Sequence, residues 1–327
     1  MNTILNRRLH TFTFSFYIFF ARILICSSFS SSIDGNNDNM ATRALSLRQR
    51  LLQGGKTYGP LVLSDSPVVA ELLAGIPGYG HILLDMEHSP TNTQSCQSLL
   101  QAFDAGARYF RTENMSPPEA LVRLDSPHDP VQMKKILDSM RLPGGVLVPM
   151  VEDAETAQQV VRSTRYPRQN DSIDDIDGIR GCAVPFVRAS GWGSSATNDE
   201  YLRQCREDLL VMVQVESPQA VEAIPEIAAV EGVDLIFIGP FDLSASAGRL
   251  GQFDNPDVQA LLKRAEEAVL ASPCLLGGFR TPGVALRDMF QKGYSLVCGA
   301  VDLGLLREAA RLDAKAGQEG IEQSGKS

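Results

Sequence analysis

Three apolar runs in this chain end in ionisable side chains. Ile82-Leu83-Leu84 leads into Asp85-Met86-Glu87-His88. Leu210-Val211-Met212-Val213-Gln214-Val215 stops at Glu216. Leu235-Ile236-Phe237-Ile238 passes through Gly239-Pro240-Phe241 to Asp242. Glu216 and Asp242 lie 26 residues apart, the length of one βα unit. Two carboxylates at adjacent strand ends can hold one divalent cation from one side and leave its other positions open. The competing explanation is a pair of surface acids near helix N-termini, which the helix dipole favours. Ser217-Pro218 makes that serious for Glu216, but the occurrence of both acids on neighbouring units favours a metal. His88 stands three residues after Asp85. An Asp that accepts a hydrogen bond from one ring nitrogen orients an imidazole and raises its basicity, which suits a general base. The alternative for His88 alone is a structural histidine satisfied by backbone. Arg123 ends the run Ala120-Leu121-Val122, a costly place for a guanidinium unless it faces an anion. It could steady an oxyanion or a carboxylate, or form a salt bridge to Glu87 or Glu216. The turn Gly239-Pro240-Phe241-Asp242 can offer the N–H groups of Phe241 and Asp242 to a carboxylate, whereas Pro240 has none to offer.

These groups can share a site only if their strands are parallel and end at one face. Strands are predicted near 60–63, 81–85, 120–123, 145–149, 210–215, 234–238, 274–278 and 295–299. Helices are predicted at Val68–Ala74, Thr93–Phe103, Pro130–Ser139, Ala154–Thr164, Pro218–Ala229 and Pro256–Ala271. Strands that alternate with helices predict an α/β protein, a (β/α)8 TIM barrel. The doubly wound alternative lacks a G-x-G-x-x-G after its first strand. The 327 residues and an apolar fraction of 44% suffice for such a barrel. A net charge of −9 argues against nucleic-acid binding. The six cysteines form no C-x-x-C pair and read as reduced core thiols.

Residues 1–40 are expected to lie outside the fold, as a leader or a non-native extension. Residues 1–33 carry Arg7, Arg8 and Arg22, no acid and a serine cluster. A signal peptide and a mitochondrial leader fit this composition; a membrane anchor does not, because Arg22 interrupts the apolar run. The favoured reading is a start at Met40, a barrel domain over 41–315, a flexible tail over 316–327 and a cytoplasmic location. A mitochondrial location is the alternative. The acidic stretch 168–177 lacks the loop glycine and closing Glu of a calcium loop. It is expected to be a solvated insert that shapes the loop over the site and with it the choice of substrate.

Together the motifs resemble the HpcH/HpaI aldolase/citrate lyase family, in particular class II pyruvate aldolases of the 4-hydroxy-2-oxo-heptane-1,7-dioate aldolase kind, within the phosphoenolpyruvate/pyruvate barrel superfamily. The stretches that carry the resemblance are Leu84-Asp85-Met86-Glu87-His88-Ser89-Pro90, Leu121-Val122-Arg123, Asp129-Pro130-Val131-Gln132, Leu147-Val148-Pro149-Met150-Val151, Gly178-Ile179-Arg180-Gly181, Arg188-Ala189-Ser190, Val213-Gln214-Val215-Glu216 and Phe237-Ile238-Gly239-Pro240-Phe241-Asp242-Leu243-Ser244. They run in order across roughly residues 57–312.

The resemblance implies a divalent-metal-dependent lyase that cleaves a 4-hydroxy-2-oxo acid to pyruvate, or a related 2-oxo acid, and an aldehyde through a metal-bound enolate. It implies Glu216 and Asp242 as ligands of Mg²⁺ or Mn²⁺, His88 as base with Asp85 as its partner, and Arg123 on the enolate oxygen. Gln214, Gly239 and Phe241 would bind substrate, and the protein would be a homo-oligomer acting on small molecules, with no nucleic acid and no stable membrane association. The alternatives are an acyl-CoA carbon–carbon lyase of the citrate lyase or malyl-CoA lyase type, and a non-catalytic barrel that binds a metal or a 2-oxo acid. Two departures stand out. Relative to the family's usual spacing, one extra residue stands between Arg123 and Asp129-Pro130, and the segment Ala107 to Glu119 is longer and contains Pro117-Pro118. An offset third strand is therefore expected, with Arg111 as a second candidate for the functional arginine.

Overall fold

Along each strand of this protein, successive residues meet two different apolar surroundings, and that alternation builds the fold. The computed structural model describes residues 44–109, 117–168, 176–193 and 198–324. The strands are β1 (Thr57–Val62), β2 (His81–Asp85), β3 (Glu119–Arg123), β4 (Gly144–Val148), β5 (Leu209–Val215), β6 (Leu235–Ile238), β7 (Leu275–Phe279) and β8 (Tyr294–Val301). Each pairs in parallel with the next, and β8 returns to β1 to close the barrel. Leu61, Leu83, Leu121, Leu147, Met212, Phe237 and Leu296 point inward and pack on one another. Their neighbours Val62, Ile82, Leu84, Val122, Val146, Val213 and Ile236 point outward, under the helices. A strand buried on both faces reads as a continuous apolar run, which is why the eight were legible.

Among the described residues the helices are α1 (Leu47–Leu52), α2 (Pro67–Ala74), α3 (Thr93–Tyr109), α4 (Pro130–Ser139), α5 (Ala154–Thr164), α6 (Asn198–Glu207), α7 (Pro218–Glu222), α8 (Ile224–Ala228), α9 (Pro240–Ser246), α10 (Pro256–Leu270), α11 (Leu286–Lys292) and α12 (Asp302–Ser324). None is long and apolar enough to cross a membrane. The predicted helix Pro218–Ala229 is two short helices that meet at Ala223. Pro225 has no N–H to continue the first ladder and suits the first turn of a second helix. Helix α12 runs on to Ser324 through the stretch expected to be a flexible tail.

Helix α1 closes the N-terminal mouth of the barrel. Ser46 caps it in a capping box with Gln49. Leu47 and Leu51 join the inner cluster, and the Leu47 N–H donates to the Glu119 carboxylate at the start of β3. Arg50 lies 3.4 Å from the same carboxylate. The opposite mouth, where the strands end, is left for a site.

The described parts of the long β4–β5 connection lie away from the strand ends. Helix α5 carries the chain back to the N-terminal side of the barrel, so the connection lies there. Arg188 donates to the Ser139 carbonyl at 2.6 Å and to Asp104 at 2.6 Å. Arg180 donates to Asp138 at 2.7 Å and to the Tyr201 hydroxyl at 3.1 Å. Asp138 and Ser139 belong to the C-terminal end of α4, which faces away from the strand ends. The described parts of the connection therefore brace the floor of this barrel and do not form a loop over its own strand ends. Residues 169–175 of the acidic insert lie outside the described residues, as do residues 1–43.

Candidate active site

Asp85 and Arg123 are register partners on β2 and β3, so the strand ends bring them together directly. Arg123 Nε donates to Asp85 Oδ1 at 2.6 Å and Nη2 donates to Oδ2 at 2.8 Å, the two-pronged pairing that a guanidinium makes with a carboxylate. Both residues are almost fully buried. Burial alone would disfavour the guanidinium charge; the Asp85 hydrogen bonds and the charges of Asp85 and Glu87 outweigh it. The ring of Phe279, at the end of β7, lies 5.2 Å from the guanidinium carbon, a cation–π contact. The third strand is not offset: Arg123 sits at its end in register with Asp85. Arg111 lies outside the described residues.

Asp85 is not the imidazole's partner. Its Oδ1 also accepts from the Glu87 N–H at 3.1 Å, and its Oδ2 from the His88 N–H at 3.1 Å. A carboxylate has roughly four acceptor positions, and here two are taken by Arg123 and two by backbone. The aspartate thus shapes the turn that carries His88, as Asx side chains do, but has no lone pair left for the ring. The imidazole is about half exposed, and its charged neighbour among the described residues is Glu87, with Nε2 to Oε1 at 3.8 Å. Glu87 Oε2 lies 2.8 Å from Arg123 Nη1. That is an ion pair by distance, but its angles fall short of a hydrogen bond. Burial pushes the Glu87 carboxyl up to about 7, against the pull of Arg123, with Glu216, Asp85 and Asp242 adding to the rise.

On the other side of the mouth, Glu216 follows β5 and is buried. Its Oε1 accepts from the Met150 N–H at 2.7 Å, and its Oε2 accepts from the Gln214 side-chain amide. Met150 has a positive φ of 54°, uncommon for a residue with a side chain and of a kind that clusters at functional sites. That conformation aims its N–H at Glu216. Asp242 stands exposed in the first turn of α9, whose N-cap Gly239 offers no side chain to the first-turn N–H groups. A Cβ on Gly239 would lie 3.0 Å from Glu216 Oε2 and 3.2 Å from Gln214 Nε2, so the missing side chain is what admits both groups.

This half of the mouth fits a cation. Burial, and then the Asp242 charge, raise the Glu216 pKa, while the Gln214 and Met150 hydrogen bonds and Arg123 offset this in part. Gln214 Oε1 is buried and has no partner, an acceptor that a water on the cation would satisfy. No group of three or more His, Cys, Asp or Glu with metal-holding geometry occurs among the described residues. Two carboxylates are nonetheless a usual protein contribution for Mg²⁺, which keeps waters and substrate oxygens in its remaining positions. Gly239→Ala is expected to weaken Mn²⁺ binding by about tenfold or more with little change in the fold, because the new methyl displaces the Glu216 carboxylate. Metal titration calorimetry beside circular dichroism checks this, and unchanged affinity would show that the cradle does not matter.

Asp85, His88, Arg123, Gln214, Glu216, Gly239, Phe241 and Asp242, singled out from the sequence, all stand at or just beyond strand ends of this mouth. Met150 and Phe279 were missed. Phe279 ends an apolar run and resembles a core residue; no sequence signal marks the backbone twist at Met150. Glu87 was legible as an acid in the motif, but only as a salt-bridge partner.

Comparison with known proteins gives a consistent result. Residues 60–309 match a family model described as HpcH/HpaI aldolase/citrate lyase. The chain is 34% identical over 261 residues to a hydroxypyruvate/pyruvate aldolase of Chromohalobacter salexigens, which covers 79% of this chain and 92% of that one. It is 35% identical over 271 residues to a 4-hydroxy-2-oxo-heptane-1,7-dioate aldolase of Escherichia coli, with coverage of 81% and 92%. A crystal structure of an HpcH/HpaI aldolase/citrate lyase family protein from Burkholderia cenocepacia superposes with a TM-score of 0.73 at 32% identity, covering 83% of this chain and 98% of that one.

Proposed function

The chain belongs to the HpcH/HpaI aldolase/citrate lyase family and is a carbon–carbon lyase, and on that premise we propose that it cleaves a 4-hydroxy-2-oxo acid to pyruvate, or a related 2-oxo acid, and an aldehyde, with a divalent metal. The observation that carries this reading is the pairing, at one mouth, of two carboxylates that form no ion pair among the described residues, Glu216 and Asp242, with an imidazole and a fixed guanidinium. The first pair suits a cation and the second suits proton transfer beside a developing oxyanion.

Glu216 and Asp242 would hold Mg²⁺ or Mn²⁺, and Gln214 would accept from a water in the same sphere. When bound, the cation acts as a Lewis acid that draws electrons from the 2-oxo group and acidifies its C3 protons. The chain does the rest. The Phe241 and Asp242 N–H groups at the start of α9 face the substrate carboxylate. In cleavage, His88 takes the proton of the C4 hydroxyl. The electron pair of that O–H bond forms the aldehyde carbonyl, the C3–C4 bond breaks, and its pair moves onto C3 and the C2 oxygen. Arg123 has N–H donors beyond the two that Asp85 uses, and these steady the enolate oxygen. Protonation of C3 then gives the 2-oxo acid. In synthesis His88 removes a C3 proton instead. No step calls for a lysine, and none of the strand ends offers one.

Pyruvate in D₂O with Mg²⁺ or Mn²⁺ tests the proposal by loss of the methyl signal in proton NMR. Metal-dependent exchange by the wild type, reduced roughly 10²–10⁴-fold in His88→Ala, is expected for a general base. A folded protein that exchanges no proton with either metal would sink the reading.

A further inference from the structure

We propose that Glu87, the acid between Asp85 and His88, is the positioning residue that orients the His88 ring, accepting from Nε2–H and leaving Nδ1 as the basic nitrogen. The inference rests on the reading above and deepens it.

The geometry makes the assignment by elimination. An imidazole that works as a base has its other nitrogen held by an acceptor, which fixes the tautomer. The fully buried Asp85, the obvious candidate from its spacing, has all its acceptor positions occupied by Arg123 and by the Glu87 and His88 N–H groups. Glu216 and Asp242 belong to the cation half of the mouth. Among the described acids of the mouth, Glu87 remains. Its Oε2 lies 2.8 Å from Arg123 Nη1, and its Oε1 lies 3.8 Å from His88 Nε2. The Glu87 side chain is 10% exposed while that of His88 is 55% exposed. The acid is therefore the fixed member and the ring the movable one, so a small turn of the imidazole closes the contact. One carboxylate then ties the proton-transfer group to the oxyanion donor, and neither can move alone. The charged and titratable groups that face Glu87 are Arg123, His88, Asp85, Glu216 and Asp242; the first favours its ionised form and the other carboxylates oppose it.

The first test needs no turnover. In the full, metal-free chain labelled with ¹⁵N-histidine, above the Glu87 pKa of about 7, ring nitrogen shifts report the tautomer. His88→Ala identifies the signal among four histidines. The wild-type ring is expected as Nε2–H, and the ring in Glu87→Gln as a mixture. The second test is kinetic. Exchange of pyruvate protons in D₂O with Mn²⁺ should lose roughly 10–100-fold in kcat in Glu87→Gln, the size of loss usual when a ring-orienting partner is removed. KM should stay within about twofold, because the substrate carboxylate and the cation are held elsewhere. Glu87→Asp keeps the charge at shorter reach and should recover part of the loss. It also serves if the Gln variant does not fold. A wild-type ring without the Nε2–H preference, or a Gln variant with wild-type tautomer or wild-type kcat, would overturn the inference. Absence of any exchange by the wild type would overturn the aldolase reading instead, and the ring measurement would still stand or fall by itself.

Discussion

Arg123→Ala is expected to abolish measurable proton exchange and to destabilise the protein at the same time. The catalytic loss has two parts. Removal of an oxyanion donor alone costs about 10²–10³ in rate. Here the same guanidinium also anchors Glu87, so the loss should exceed that range. The stability loss follows from Asp85, which is fully buried and bound to Arg123 through both oxygens. Without the guanidinium it keeps only two backbone N–H donors. A buried charge left without its partner costs roughly 3–5 kcal/mol, or on the order of 10 °C in Tm for a domain of this size. Arg123→Lys separates the effects. A lysine restores the positive charge but cannot form the two-pronged pair or keep donors in the guanidinium plane. It should recover most of the stability and little of the rate. Thermal unfolding and the D₂O assay on both variants decide. Exchange within tenfold of wild type in Arg123→Ala would remove the arginine from the chemistry.

This coupling of site to scaffold explains what the sequence could and could not reveal. The strand ends were legible because an apolar run that stops at a charge has few explanations in a parallel barrel. Arg123 was legible for the same reason, and so was one of its two partners. The strand-end acids suggested Glu87 or Glu216; Glu87 does pair with it, at 2.8 Å, but the two-pronged partner is Asp85, which register places opposite it, and register between parallel strands is set by the closed barrel and not by local spacing. The spacing of Asp85 and His88 suggested a side-chain pair. The backbone in between turns so that Asp85 binds the N–H groups, a competition that short acids commonly win. Histidine type alone said little. His81, four residues before Asp85, is fully buried, hydrogen-bonds with Thr57 and Cys298, and is pushed down to about 3 by burial. It is a neutral core group, while His88 stands in the mouth. The side of the barrel taken by the described parts of the long connection was not legible, because acidic composition signals exposure but not location. That location follows from the preceding helix, which returns the chain to the floor.

Glu216→Gln should move stability and activity in opposite directions. The residue's folded pKa is raised, first by burial and then by Asp242. A carboxyl with a raised folded pKa loses its stability contribution as pH rises through that value. The metal-free wild type therefore carries a penalty at high pH that a neutral isostere lacks. The amide also finds partners. Its oxygen can accept from the Met150 N–H as Oε1 does now, and its NH₂ can donate to Gln214 after that side chain flips. The flip supplies a donor to the one Gln214 atom that has none, Oε1. Metal-free Glu216→Gln should thus melt above metal-free wild type at high pH, with the difference shrinking as acid neutralises the wild-type carboxyl. Added Mn²⁺ should reverse the order. Ligand at about 100 times its Kd stabilises the wild type by about 2.7 kcal/mol, whereas the variant, with one carboxylate removed, should gain far less and lose at least 10²-fold in exchange. Melting curves with and without metal at two pH values read both signs. A variant that keeps the wild-type Mn²⁺ shift would mean that the cation sits elsewhere. One that melts below wild type without metal would mean that Glu216 is a structural acid whose charge the fold needs.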